Sequence, residues 1–435
     1  MNIPGMMQTL CKPRCAAFSA ALTALAIQSS VFQTGCAGSN ATEPAASMTL
    51  KGEGLLLDLG EIEAVRDASL TDADLGEARA ALLAQAEVAM ETPVRPVTFG
   101  KDAGKPVAPS GDPKDYVSLS PYWWPNPDVP SGEPYVRRDG EVNPERFDYD
   151  TPKLGDFGQA VRLLAFAYAL TGEEKYAARA LEHVRAWFVD PETRMNPSMR
   201  FAQFIPGVSL GRRVGIIDTN RLRWMPDSLI ILSNSPSWTE RDERETKRWF
   251  AEYAEWLMTS DLGIAERRSN NNHGTWFDAQ VVQYALYSGR MDIAREVIAE
   301  VPDRIDAHFA ADGSQPHELE RTRAMDYTDF NIRGYLDLIQ YADAVGMDLA
   351  GYENANGVTI ADAVHWAVPY MVGDKEFPYQ QIREPRYHMY YQMFRKASRI
   401  FDEPKFEEAA QRLPKTDNHI VWIDLMLPAE FDAGN

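Results

Sequence analysis

The sequence predicts an all-α protein. The expected architecture is an α/α toroid, an incomplete barrel of about six to seven helical hairpins, carrying a long N-terminal aromatic loop. Three observations predict it. From Asp156 onward, apolar residues recur at helical spacing in one segment after another. The connections alternate between short and long, as expected of paired inner and outer helices. Strand signals are sparse, and the pattern is still helical after residue 350. No sequence identity between units is visible, so the repeat is one of length and period.

In chain order, residues 1–36 read as an export signal. Lys12 and Arg14 form a basic start, an apolar stretch runs from Ala16 to Phe32, and Thr34-Gly35-Cys36-Ala37 follows. Gly35-Cys36 is similar to a bacterial lipobox, with Gln33 where an aliphatic residue is usual. The expectation is an exported protein, periplasmic or anchored to the outer membrane through a lipid on Cys36. Plain secretion after cleavage near Ala37 is the alternative. The cysteines are Cys11, Cys15 and Cys36, so the mature chain is expected to have no disulfide. Residues 37–54 read as a linker and 55–430 as one toroid domain.

Within that domain, Leu55–Leu59 starts a strand or a packed segment. Thr71 then caps a helix running from Asp74 to Met90. Residues 92–154 are rich in Pro, Gly, Asp and aromatics and have no helical period. Their centre, Tyr122-Trp123-Trp124-Pro125, is a stiff aromatic ledge, either a sugar-stacking surface or a hydrophobic plug. Phe157, Val161, Leu164 and Tyr168 mark one helix, ended by Thr171-Gly172, and Tyr176 to Trp187 mark the next. Gln203 and Arg212 fall in a loop. Thr239 caps a helix with Trp249, Tyr253 and Leu257 on one face. Further helices are expected near 274–288, 290–300, 302–311, 329–345, 358–371, 387–400 and 403–412.

The net charge of −20 argues against a nucleic-acid partner. An acidic sugar polymer needs only a local basic cleft. Three stretches are candidates to line one. Asn270-Asn271-Asn272-His273-Gly274-Thr275-Trp276-Phe277 places three amides and a histidine at a helix start, where free N–H groups favour an anion. In Arg321-Thr322-Arg323-Ala324-Met325-Asp326-Tyr327, Arg323 and Tyr327 share a face if the segment is helical, and a nearby cation prepares a tyrosine hydroxyl for proton transfer. Arg383 to Tyr391, including Tyr387 and His388, is basic and aromatic. No metal or cofactor is expected: Arg321 stands where H-E-x-x-H needs its second histidine, and no P-loop or GxGxxG is present.

Together these stretches resemble the alginate lyase superfamily of bacterial polysaccharide lyases, which has an α/α toroid fold. Asn271-Asn272-His273 with Trp276 matches that family's Asn-Asn-His motif, and Arg321, Arg323 and Tyr327 resemble its Arg-and-Tyr motif, with Tyr122-Trp123-Trp124-Pro125 in the same order. The resemblance covers roughly residues 110 to 400. It implies cleavage of a 4-linked uronic-acid polymer, polymannuronate (alginate) or glucuronan, by β-elimination without a cofactor, in a protein expected to be a monomer. It implies Asn272, His273, Arg323 and Tyr327 as catalytic residues. Tyr122, Trp123, Trp124, Gln203, Arg212, Asn271, Trp276, Arg321, Tyr387 and His388 are the implied substrate-binding residues. Whether Arg321 or Arg323 neutralises the substrate carboxylate, and whether His273 or Tyr327 takes the C5 proton, stays open. Two other readings compete. One is a toroidal glycoside hydrolase using two of Asp148, Asp150, Asp218 and Asp326. The other is a surface glycan-binding lipoprotein without catalysis.

Overall fold

The computed structural model describes residues 48–414 and 421–428. The expected signal, with Cys36, and most of the expected linker lie outside the described residues. Residues 48–54, expected in the linker, are packed: Leu50 is buried, and the Lys51 N–H donates to Asn234 Oδ1 at 2.7 Å.

Five helices form the inner wall: Thr151–Thr171, Met225–Leu232, Asn272–Ser288, Ala324–Asp343 and Tyr387–Phe401, each packed on the next. The longest of them are buried on almost every side, as in the unbroken buried runs 163–170 and 331–339. A helix that is apolar all round belongs inside. The outer helices, such as Glu174–Val184, Glu240–Thr259, Met291–Ile298 and Pro404–Arg412, bury a single face against them. The short helix Val421–Met426 packs on Leu59–Ala68 and Ala73–Met90. It is tied to Tyr387–Phe401 by Arg395 and Asp424 at 3.0 Å. The result is the expected all-α toroid.

The local signals account for many of the helix ends. Thr239 caps Glu240–Thr259 with a reciprocal Asp242 bond. Gly172, at φ 68°, ends Thr151–Thr171. The cap of Ala73–Met90 is Asp72 rather than Thr71, because the Asp72 carboxylate accepts from the Leu75 N–H at 2.9 Å. Leu55–Leu57 is a packed turn and not a strand, since the three amides converge on buried Asp227 Oδ1. The aromatic loop is more ordered than its composition implies. Val117–Leu119 pairs in parallel with Phe201–Phe204, and Trp123–Trp124 pairs antiparallel with Val136–Arg137.

Inside the ring, Asp337 receives both Arg223 and Lys396, and all three are buried. Two histidines are also buried: His183, and His308 beside the Tyr335 hydroxyl at 2.7 Å. Burial disfavours their charged forms and lowers them from 6.5 to about 4 and about 3, with Arg179 and Arg304 adding to it. Their folded pKa lies below the unfolded value, so the unfolded chain binds more protons at mild acidity. Their contribution is complete above pH 6.5 and is lost as pH falls through 4. Thermal melts should lose stability on the order of 3 kcal/mol per histidine across that window. His308→Gln should flatten part of the slope, and an unchanged slope would remove His308 from this account.

Candidate active site

A cleft of about 720 Å³ opens at one end of the inner helices. Nine arginines and two carboxylates line it, in a chain whose net charge is −20. Both carboxylates are already engaged. Asp218 accepts from Tyr116, Ser118 and Gln203, and Asp326 accepts from Arg323 and Tyr390. The cleft therefore presents net positive charge to a ligand.

One wall is the start of Asn272–Ser288. Asn271 is the N-cap, and its Oδ1 accepts from the His273 N–H at 3.2 Å. This puts Asn272 and His273 in the first turn, at the positive end of the helix. Gly274 permits the arrangement, since a Cβ there would lie 2.0 Å from Arg304 Nη1. That guanidinium ties down the preceding loop by donating to Ser269 O at 2.7 Å and Arg267 O at 2.8 Å, and it pairs with buried Asp278.

His273 Nδ1 lies 2.6 Å from Glu266 Oε1. Burial would raise the Glu266 carboxyl, but His273 and Arg213 beside it outweigh that and hold it below the usual range. A carboxylate accepts, so Nδ1 donates to it, and Nε2 is the ring nitrogen left for a ligand. Asn272 is less free than its motif suggests. Its backbone N–H and its Nδ2 both donate to Glu318, each at 2.6 Å, and its buried Oδ1 has no hydrogen-bond partner. Burial raises the Glu318 carboxyl, although Asn272 pulls it back.

The facing wall carries Tyr327, whose hydroxyl accepts from Arg321 Nη2 at 2.9 Å and lies 3.1 Å from the Tyr122 hydroxyl. The Arg321 guanidinium also stacks 4.0 Å from the Tyr327 ring centroid. Burial raises the Tyr327 pKa first and Tyr122 adds to it, while Arg321 opposes both, so the resting group is the protonated phenol. Arg321 is steadied by Asp139 at 3.3 Å.

The expected pairing of Arg323 with Tyr327 on one helical face is corrected. Arg323 is the residue before the helix Ala324–Asp343, at φ −130° and ψ 53°, and its guanidinium turns to Asp326. A loop from elsewhere in the chain sets that start: the Ala324 N–H donates to Gln380 O at 3.0 Å. Arg323 still lines the cleft, but Arg321 is the arginine on Tyr327.

Of the other expected binding residues, Tyr122, Trp123, Gln203, Arg212 and Asn271 line the cleft. Arg212 reaches Ser120 Oγ at 2.9 Å and lies over the Trp123 ring at 5.9 Å. Gln203 is held at φ 49°, a left-handed conformation costly for a side-chain-bearing residue, with its amide on Asp218 at 3.0 Å. Trp124 does not line the cleft. It follows Trp123 on a strand, so it faces the other way, under Arg138 and bonded to Glu141 O. Trp276 is core at 1% exposure, with its indole N–H on Phe330 O at 3.0 Å. Tyr387 and His388 are half-buried beside the cleft, and their neighbours Arg386 and Met389 line it instead. Sequence reasoning also missed Glu266, Glu318, Arg213 and Asp139. Glu318 lies beside the quoted arginines, but nothing local marks it as the partner of Asn272.

The two walls thus put an imidazole, a protonated phenol and several guanidinium groups around one space sized for a few sugar units. Among the described residues no group of His, Cys, Asp and Glu is arranged to hold a metal ion. From residue 100 to 377 the chain matches the family model described as Alginate lyase. An alginate lyase from Bacteroides ovatus is similar in structure at a TM-score of 0.82 and 34% identity, with 87% of this chain and 100% of that one covered. Alginate lyase A1-III, from Sphingomonas species A1, shares the fold in a tetrasaccharide complex of a histidine-to-alanine variant. Its TM-score is 0.53 and its identity 15%, with 91% of this chain and 100% of that one covered. A search of curated proteins found no significant match. A family match over most of the chain, carried on a toroid whose basic cleft holds the motif residues, makes the protein a member of the alginate lyase family and a polysaccharide lyase.

Proposed function

We propose that the lyase cleaves a 4-linked uronic-acid polymer, polymannuronate (alginate) or glucuronan, by β-elimination. The observation that carries this reading is the Tyr327 hydroxyl, held between Arg321 and Tyr122 at the edge of an arginine-lined cleft. The C5–H bond breaks, its electron pair forms the C4=C5 double bond, and the C4–O4 bond breaks as O4 takes a proton. The C5 proton becomes acidic enough only if charge on the neighbouring carboxylate is neutralised as the enolate develops. Arg321, the remaining Asn272 amide hydrogen and His273 supply that field. Once its phenol has given up its proton to solvent, the Tyr327 oxygen takes H5 and passes that proton to the leaving O4 on the same face of the sugar, which returns the phenolate to the start of the cycle. Mannuronate and glucuronate share this syn relation of H5 and O4, whereas guluronate is inverted at C5.

Near-ultraviolet absorbance of unsaturated product, followed across polymannuronate, polyguluronate, glucuronan and hyaluronan, tests the reading. Product from the first or third alone supports it, and product from polyguluronate alone overturns it. With Tyr327 protonated at rest, kcat should climb into the alkaline range. A profile that rises only where imidazoles ordinarily titrate would assign the C5 base to His273. The N-terminal pattern supports export, with the lyase reaching its polymer in the periplasm, at the outer membrane through Cys36, or outside the cell.

A further inference from the structure

A second cavity, of about 470 Å³, adjoins the catalytic cleft, and the two share Arg221. The divider is the short turn Pro144–Asp148: Arg146 faces the cleft, while Phe147 faces the second cavity. Phe147 is 59% exposed, a high value for an aromatic ring, and the Arg146 guanidinium lies 5.9 Å from its centroid. Ordinary packing does not call for a bare ring beside a cationic groove, but a sugar face stacks well on one.

The floor is built from the helix Thr151–Thr171. A Cβ on Gly158 would lie 2.5 Å from Arg221 O, so the glycine lets the Arg221 segment close directly over the helix. Two cations result. The Arg221 side chain makes no ion pair among the described residues. Arg162 lies over the Trp422 ring at 4.9 Å, with its Nε buried and lacking a hydrogen-bond partner, and it too has no carboxylate partner among the described residues. Burial and the nearby Arg223 lower its pKa to about 10, so it stays charged. Arg162 is partly exposed but its buried Nε lacks an acceptor, and an arriving carboxylate would supply one. Gln159 and Thr151 offer partners for hydroxyls, and Asp156 is the carboxylate on this wall.

We propose that this cavity is a distal subsite for a uronate unit of the same polymer, beyond the units seated at the bond to be cleaved. The sugar ring stacks on Phe147, and its carboxylate pairs with Arg221 and Arg162. The site makes the lyase favour long chains over short oligomers. This rests on the uronate-polymer reading above.

The test compares Phe147→Ala and Arg162→Gln with the parent protein on polymer and on the shortest oligouronate that is cleaved. For each variant, polymer KM should rise about five- to tenfold, the scale of one stacked ring or one partly exposed ion pair. The kcat and the short-oligomer KM should stay unchanged. The same variants in a Tyr327→Phe background should lose polymer affinity in calorimetry without any turnover being needed. Phe147 is exposed, so its variant folds whatever becomes of Arg162→Gln. An unchanged polymer KM and affinity in Phe147→Ala would overturn the subsite while leaving the lyase reading intact. A parent protein that cleaves no uronate polymer would overturn both.

Discussion

Tyr327→Phe is expected to lower kcat by about 10²–10⁴-fold, the usual worth of a positioned acid–base group. The substitution removes one oxygen. The contacts of that oxygen are Arg321 and Tyr122, both at the cleft rather than in the core. The melting temperature and polymer affinity should therefore stay close to those of the parent. On the proposed mechanism the loss falls on proton transfer between C5 and O4 and not on substrate charge recognition, which the arginines retain. Parallel measurement of unsaturated product and of polymer binding separates the two. Parent-like turnover would remove Tyr327 from the chemistry. Loss of binding together with turnover would instead make it a binding residue.

Asp337→Asn is expected to cost about 3–5 kcal/mol of stability, the scale for breaking a buried ion pair from one side. The shape is kept and the charge is lost, so Arg223 and Lys396 remain buried with no carboxylate between them. Lys396 gives the effect a pH signature. Burial already lowers it to about 8 with Asp337 present, and removing Asp337 lowers it further. The unfolded lysine keeps its ordinary, higher pKa, so the folded variant pays for a charged Lys396 more heavily as pH falls. The deficit should shrink at alkaline pH, and Lys396→Met in the same background should recover part of it. Chemical denaturation of the single and double variants measures this. An Asp337→Asn protein as stable as the parent would mean that the cluster is wetter than its burial indicates. A double variant no better than the single would place the cost on Arg223 alone.

Much of the site was legible because part of it is local. An asparagine before a helix caps it, so Asn271 puts Asn272 and His273 in the first turn whatever surrounds them. The basic cleft was legible only as a requirement, since a chain of net charge −20 that binds a polyanion must concentrate its arginines somewhere. The Arg323–Tyr327 pairing failed because it assumed a helix that begins one residue later. Ala324 starts that helix under the control of Gln380, more than fifty positions along the chain. Trp276 failed for a related reason. Spacing from His273 places it on the same helix but cannot say which face meets the inner ring, and Phe330 takes its indole.

What the sequence alone determined is whatever repeats or acts within a few residues. The helical period gives the toroid, Gly172 and Thr239 mark helix boundaries, and the Asn-Asn-His start identifies one wall of the cleft. Only the tertiary structure decided which charges meet. Glu266 orients His273, Glu318 occupies Asn272, and Arg321 rather than Arg323 lies on Tyr327. The reason is range: backbone capping and amphipathic burial are settled within one or two turns. The partner of a buried charge is set by which helices the ring brings together, and the order of residues along the chain does not encode that directly.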